Sequence, residues 1–350
     1  MVIDNRVTAT VSTKGRFHTT FPLMLTSLLN QTIKPCRLII YDDNDVMEDL
    51  RENEIYKNLF MMLQQNNIKW EVTPGEHKGQ VFNHQRALTD VKTEWIWRLD
   101  DDNIMESNVL ESLLTFAVDK KELGAIGPLI LDPKSDFKHC MASNKMEDIY
   151  LGLNVQWCNT HLQQYIEVDH LQGSTFLFRK EAGKHGYDLN LSRVGHREET
   201  IFTHEMKRNG WKLAIFTGAK TWHVRYGAGG IRAHNDSKLF RHDEDIFTEY
   251  MRKWGVVPSK IKVIPLDNGI GDHYAFRMIL PDIKKKYEGY RIIIGACFSD
   301  VFRDETGVEI VSLNESFAFV KPDDCNIYRW MDNHNWKGKL KDAFKEMYQA

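Results

Sequence analysis

The chain has 350 residues, 42% hydrophobic and 27% charged, a composition near the globular average that excludes disordered, collagen-like and coiled-coil proteins. Its 46 lysines and arginines against 49 acids give a net charge of −3, which excludes a globally basic nucleic-acid or membrane-surface protein while leaving room for a local basic face. No run approaches the ~18 apolar residues of a membrane span, the opening MVIDNRVTATVS has no signal pattern, and the five cysteines (36, 140, 158, 297 and 325) have neither metal nor redox spacing, so a soluble cytoplasmic protein with reduced thiols is expected.

Short β-rich runs alternate with helical patterns through the first hundred residues. Strands are expected at Val7 to Val11, Leu38 to Tyr41, Trp70 to Thr73 and Trp95 to Leu99. Between them, helical spacing runs through Phe21, Leu25, Leu28 and Leu29, then from about Glu48 to Gln65 and from Val81 to Val91. Such alternation implies a parallel sheet with crossover helices, a Rossmann-like α/β layout. A helix from about Ser107 to Lys121, a strand from Ala125 to Leu131, loops with short strands over 132–165 and a strand from Phe176 to Arg179 follow. Glu198 to Asn209 reads as a helix stopped by Gly210, and Lys212 to Phe216 as a strand.

Tyr226 to Asp245 is rich in glycine, histidine and charge and reads as a loop, with a helix from Asp243 to Trp254 after it. Pro258 and Ser259 suggest a linker, which divides the chain into domains 1–257 and 258–350. The second, smaller α/β domain would hold a strand from Lys262 to Leu266, a turn at Asn268-Gly-Ile-Gly-Asp272 and a helix from Tyr274 to Tyr287. Strands at Arg291 to Ala296 and Glu309 to Leu313 and a terminal helix from Lys339 to Tyr348 complete it.

In parallel sheets, ligands bind beyond the carboxyl ends of the strands. Asp42 and Asp43 stand at one such end, and Asp100, Asp101 and Asp102 at another. Clustered carboxylates repel unless a cation compensates them, and oxygen ligands suit Mg²⁺ or Mn²⁺ shared with substrate phosphates. A solvated loop with a helix-capping aspartate is the plainer alternative.

Six motifs occur in order over roughly residues 5 to 225. They are Val11-Ser-Thr-Lys-Gly-Arg16, Ser27-Leu-Leu-Asn-Gln-Thr-Ile-Lys-Pro35, Tyr41-Asp-Asp-Asn-Asp45, Leu99-Asp-Asp-Asp102, Glu198-Glu199 followed by Gly210-Trp-Lys-Leu213, and Trp222-His223-Val224. Together they resemble the family-2 glycosyltransferases, enzymes of the A-type glycosyltransferase fold that use nucleotide-sugar donors. The resemblance implies a metal-dependent, inverting transfer from a UDP-linked or other nucleoside-diphosphate sugar. It implies donor contacts at Ser12, Lys14, Arg16, Asp42, Asp43, Asp100 and Asp101. The metal, Mn²⁺ or Mg²⁺, would be held by Asp100, Asp102 and His223, and the base would be Glu199, with Glu198 as the second candidate. By themselves the two glutamates are also what a helix dipole favours in a first turn.

Two departures from the family pattern stand out. Asn83-His84-Gln85 occupies the place of an expected Ala-Arg-Asn, so Lys78, His84 and Arg86 are the candidates to replace the missing arginine at the donor. Glu199 stands where an aspartate is usual, one methylene longer.

Residues 264–273, with Pro281 and Lys284-Lys-Lys-Tyr287, are similar to the first βα unit of heptosyltransferase-like B-type glycosyltransferases. The ninety-odd residues there are half of such an enzyme at most, which suggests a non-catalytic appendage for acceptor contact or self-association. Tyr226-Gly-Ala-Gly-Gly-Ile231 reads equally as a lid over the donor or as a surface loop. A glycan is the expected acceptor. A hydroxymethylated base in phage-type DNA is the alternative, for which Arg225, Arg232, Lys238 and Arg241, or Lys284, Lys285 and Lys286, would have to form a cationic track. Two further rivals are a nucleotidyltransferase, for which Lys14-Gly-Arg16 is a poor phosphate loop, and a catalytically idle binding module.

Overall fold

A computed structural model describes residues 2–46, 48–131, 133, 138–140, 142–143, 145–150, 153–155, 163, 165–171, 173–225, 227–230, 236–313, 318–319 and 326–350. The chain forms two compact units, residues 1–146 with 162–256, and residues 147–161 with 257–350. The sequence placed 147–161 with the first domain; the described residues of that stretch, 147–150 and 153–155, fall in the second unit.

The first unit is built on a nine-stranded mixed sheet. Its strands are β1 (Val2–Thr13), β2 (Ile33–Asp42), β3 (Lys69–Pro74), β4 (Trp95–Asp100), β5 (Asn103–Met105), β6 (Leu123–Leu131), β7 (Tyr165–Val168), β8 (Thr175–Arg179) and β9 (Lys212–His223). They lie in the order β7-β9-β6-β8-β4-β1-β2-β3, with β5 paired to β9. β3, β2, β1 and β4 are parallel, as the alternating pattern predicts, and β8 enters antiparallel between β4 and β6. β9 is longer than expected: the strand read as ending at Phe216 runs on through an irregular register to His223.

Helices α1 (Phe21–Leu29), α2 (Glu54–Gln65), α3 (Gln80–Asp90), α4 (Val109–Ala117) and α5 (Glu198–Arg208) accompany this sheet, and α6 (Ser237–Trp254) packs on α5 through Trp254, whose Nε1 donates to Glu205. On α1, Phe21, Met24, Leu25 and Leu28 recur at helical spacing and are fully buried, in one core with Val7, Val11, Trp95, Trp97 and Leu113. The Gln31 side chain explains part of its motif. It donates to Ser27 O and Glu106 O and accepts from Leu110 N, tying the end of α1 to the start of α4. α6 begins at Ser237 inside the stretch read as loop, because Asp236 caps it by accepting from Lys238 N.

The second unit contains a parallel three-stranded sheet, β10 (Ile261–Leu266), β11 (Arg291–Ala296) and β12 (Glu309–Ser312). Helices α7 (Ile270–Lys286), α8 (Ile327–Asn333) and α9 (Leu340–Tyr348) accompany it, and Ile264, Phe276, Leu280, Ile294 and Phe344 form its core. The sequence reading missed α8. The supposed tight turn at 268–272 is already helix from Ile270, and Gly269 and Gly271 have ordinary negative-φ backbones.

Candidate active site

Parallel pairing brings the carboxyl ends of β1, β2 and β4 to one edge of the sheet: Ser12 lies opposite both Tyr41 and Asp100, and Thr13 opposite Asp42. β9 delivers His223 to the same edge, where it pairs with Asn103 of β5. A cavity of about 520 Å³ opens there. Ser12, Lys14, Arg16 and Asp100 to Asp102 line one part of it; Gln80, His196, Arg197, Glu199, His223 and Phe240 line the rest.

One ligand atom each from Asp100, Asp102 and His223 come within 4.8 Å of one another. His223 Nε2 lies 3.3 Å from Asp102 Oδ1, while its Nδ1 is buried without a hydrogen-bond partner. Two carboxylates and an imidazole with one ring nitrogen unmatched are a donor set that fits a divalent cation such as Mn²⁺ or Mg²⁺.

The three aspartates differ in environment. Burial pushes Asp100 up to about 6, against the pull of Arg98. Burial likewise pushes Asp101 up to about 7, against Arg16. Burial acts on Asp102 as well, but His223 and Arg16 outweigh it and hold that carboxyl below its ordinary value. Arg16 Nη1 contacts both Asp101 Oδ1 at 2.9 Å and Asp102 Oδ2 at 2.6 Å.

Asp42 and Asp43 are buried beneath this edge rather than lining the cavity. Asp42 Oδ1 accepts from the backbone and side chain of Asn44. Asp43 accepts from Gly79 N and from Asn83 Nδ2, and Asn83 also donates to Ser12 Oγ. Their carboxylates therefore shape the turns below the cavity. Lys14 pairs with Asp45 at 2.7 Å.

The three replacements for the missing arginine do not reach the cavity. Lys78 is held by Glu76 at 2.9 Å. Arg86 donates to Pro74 O and lies over the Tyr41 ring. His84 is buried, and its Nε2 accepts from Arg98 Nε at 3.0 Å; burial and the Arg98 charge hold it well below the ordinary histidine pKa. Arg16 and Arg197 are the arginines that the β1 turn and the start of α5 bring to the cavity wall.

Glu198 and Glu199 open α5 on different sides. Glu198 is 1% exposed, accepts from Arg98 Nη2 at 2.6 Å and does not line the cavity; Glu199 does line it. The residue before them, Arg197, has left-handed φ of 71° and is held by Glu244 of α6. Asp243 fastens the preceding loop by accepting from Ser192 N, Ser192 Oγ and His196 N.

The sequence reading gave Arg98, Asn83 and Asp243 no part in the site. A lone arginine within Trp95-Ile-Trp-Arg-Leu99 was a usable signal, since a strand interior admits such a charge only with partners. Asp243 gave none, because its partners lie about fifty residues away.

Residues 226 and 231 of the expected lid, and Arg232 of the cationic track, lie outside the described residues. The remaining turn packs on the β1 loop: Gly230 N donates to Lys14 O at 2.7 Å. A Cβ on Gly229 would stand 2.3 Å from Gly15 O, and Gly229 has φ of +76°. In the other proposed track, Lys284 is held by Glu305 and Lys286 by the carbonyls of Tyr348 and Gln349.

The family model described as "Glycosyltransferase like family 2" matches residues 22–239. That is more than half of the chain, which therefore belongs to this family. Among solved structures, the chain is similar to GalNAc-T7 with UDP, GalNAc and Mn²⁺, at 15% identity and a TM-score of 0.47, over 63% of this chain and 44% of that one. It is also similar to residues 1–349 of S. aureus TarS in complex with UDP-GlcNAc, at 13% identity and a TM-score of 0.45, over 63% and 59% of the two chains. The chain thus spans less than two thirds of either relative. No curated protein matches it. Among the described residues no helix is long and apolar enough to cross a membrane.

Proposed function

We propose that the chain is a metal-dependent, inverting glycosyltransferase that moves a sugar from a nucleoside-diphosphate donor, UDP-linked, to the hydroxyl of an acceptor glycan. The observation that carries this reading is the convergence of Asp100, Asp102 and His223 with Glu199 on one cavity. Asp100, Asp102 and His223 would hold Mn²⁺ or Mg²⁺, which when bound neutralises charge growing on the leaving diphosphate. Arg16 steadies Asp101 and Asp102 and adds positive charge on the side where that diphosphate would lie. Ser12 and Lys14 line the same side, with Asp42 and Asp43 shaping the turn beneath the nucleoside.

Glu199 takes the acceptor proton, for which the hydroxyl must sit within about 2.6–3.2 Å of the carboxylate. A single displacement needs only this one base and inverts the anomeric carbon. Glu198 is the poorer candidate, because its Arg98 partner and its burial remove it from the cavity. The domain of residues 258–350 is assigned no catalytic part and would serve acceptor contact or self-association.

A panel of UDP-sugars, assayed for hydrolysis and for transfer to oligosaccharides with Mn²⁺, tests the reading. Turnover that requires the ion and falls by ~10²–10³ in Asp102→Ala is expected; undiminished turnover by Asp102→Ala in chelator overturns it. Transfer to a hydroxymethylated duplex but not to oligosaccharides would move the acceptor assignment to DNA.

A further inference from the structure

Arg98 lies in the middle of β4, 1% exposed, between Trp97 and Leu99. Its Nε donates to His84 Nε2 at 3.0 Å, and its Nη1 to Gly173 O at 3.2 Å. The guanidinium also lies over the Phe176 ring, 5.2 Å from its centroid. These contacts fix the planar fork, so that Nη2 faces a set of three carboxylates. Glu198 Oε1 is 2.6 Å away, Glu199 Oε1 3.3 Å and Asp100 Oδ1 3.5 Å. Glu198 holds the shortest contact and is shut off from the cavity, whereas Glu199 and Asp100 both line it. A buried guanidinium needs carboxylate compensation, and Glu198 supplies it at close range. Arg98 thereby keeps a longer, lateral contact for the carboxylate that faces the acceptor.

We propose that Arg98 is a positioning residue for the transfer, using one fork to aim the Glu199 carboxylate into the cavity in register with Asp100. The proposal rests on the reading of Glu199 as the base. Lysine cannot replace Arg98, because one ammonium on a flexible stem does not reproduce the fork fixed by His84 and Gly173.

The test is a double-mutant cycle on the UDP-sugar turned over most rapidly in the hydrolysis panel, with the affinity for UDP and Mn²⁺ measured by calorimetry. Arg98→Lys should lower kcat by ~10–100-fold, the usual effect of losing a supporting contact, with UDP affinity within about twofold of wild type, since Arg98 is not on the donor wall. In a Glu199→Gln background the same change should cost less than about twofold more, because nothing remains to be aimed. Should the two losses multiply, or Arg98→Lys keep full kcat, the proposal fails while the base assignment stands. Full activity of Glu199→Gln overturns both. Against the risk that Arg98→Lys folds poorly, Arg98→Met/Glu198→Gln removes both partners of the closest pair. Its crystal structure should show the Glu199 carboxylate turned away from its place beside Asp100; an unmoved carboxylate overturns the proposal.

Discussion

Arg16 reaches from the turn after β1 to Asp102 in the turn after β4, its Nη1 2.6 Å from Oδ2. The two residues are 86 positions apart, and the parallel pairing of β1 with β4 makes them neighbours. The guanidinium offsets part of the charge of three successive aspartates, which keeps the turn intact when no ion is bound. Arg16 engages Asp102 Oδ2, while Oδ1 of the same carboxylate faces His223 Nε2 at 3.3 Å.

The proposed metal dependence can be tested directly. EDTA should abolish sugar transfer and Mn²⁺ or Mg²⁺ should restore it. Asp102→Ala removes a ligand together with the partner of both His223 and Arg16, and should lower kcat by ~10²–10³ at saturating Mn²⁺. The check is an initial-rate series across metal concentration. Wild-type rates in chelator would sink the assignment.

The aspartates also make a pH signature. Asp100 at about 6 and Asp101 at about 7 lie above the ~3.9 of an unfolded aspartate. Between about pH 4 and 7 the folded chain therefore binds more protons than the unfolded one. Their contribution to stability is fully present at the acid end and is lost as pH rises through 6 to 7. In EDTA, the Tm of wild type relative to Asp101→Asn should fall between pH 5 and 8. Mn²⁺ requires the ionised carboxylates, so its affinity should rise over the same window. A calorimetric Tm difference that is flat or rises with pH would contradict the assignment of these raised carboxyls.

How much of this was legible in the sequence depended on the range of the interaction. Alternation of apolar residues marked the strands, and local motifs marked Asp100 to Asp102, Glu198, Glu199 and His223, because each motif lies within one element or its edge. Long-range pairing was not legible. Lys78 and Arg86 looked like cations near a donor, yet folding turns them to Glu76 and Pro74 O. His84 turns inward to Arg98. The start of α6 was hidden because charge and histidine obscured its periodicity, while its cap, Asp236, is a single side chain.

The two glutamates of α5 should separate in function. Glu199→Gln keeps the volume but cannot take a proton, and should lower kcat by ~10²–10⁴ with little change in UDP affinity. Glu198→Gln leaves an acceptor for Arg98 outside the cavity and should keep kcat within about tenfold. It should lower Tm, because it neutralises one partner of a buried ion pair, a change that costs up to ~3–5 kcal/mol. Parallel kinetics and thermal melts decide this; a dead Glu198→Gln beside an active Glu199→Gln would exchange the two roles.

The turn at Gly229 provides a test of closure over the donor. Gly229 combines left-handed φ of +76° with a backbone approach that leaves no room for Cβ beside Gly15 O. Alanine there must break the contact that carries the Gly230 N to Lys14 O bond. Backbone strain of this kind costs about 1–3 kcal/mol, and if the turn lifts to relieve it, UDP affinity in Mn²⁺ should fall by about 5- to 150-fold. Gly227 in the same turn has open space around its would-be Cβ and no left-handed φ, so Gly227→Ala should bind UDP like wild type. Calorimetric titration of the two variants compares a required glycine with an incidental one two positions earlier in the turn. Equal affinities would show that the approach of Gly229 to Gly15 contributes nothing to donor binding.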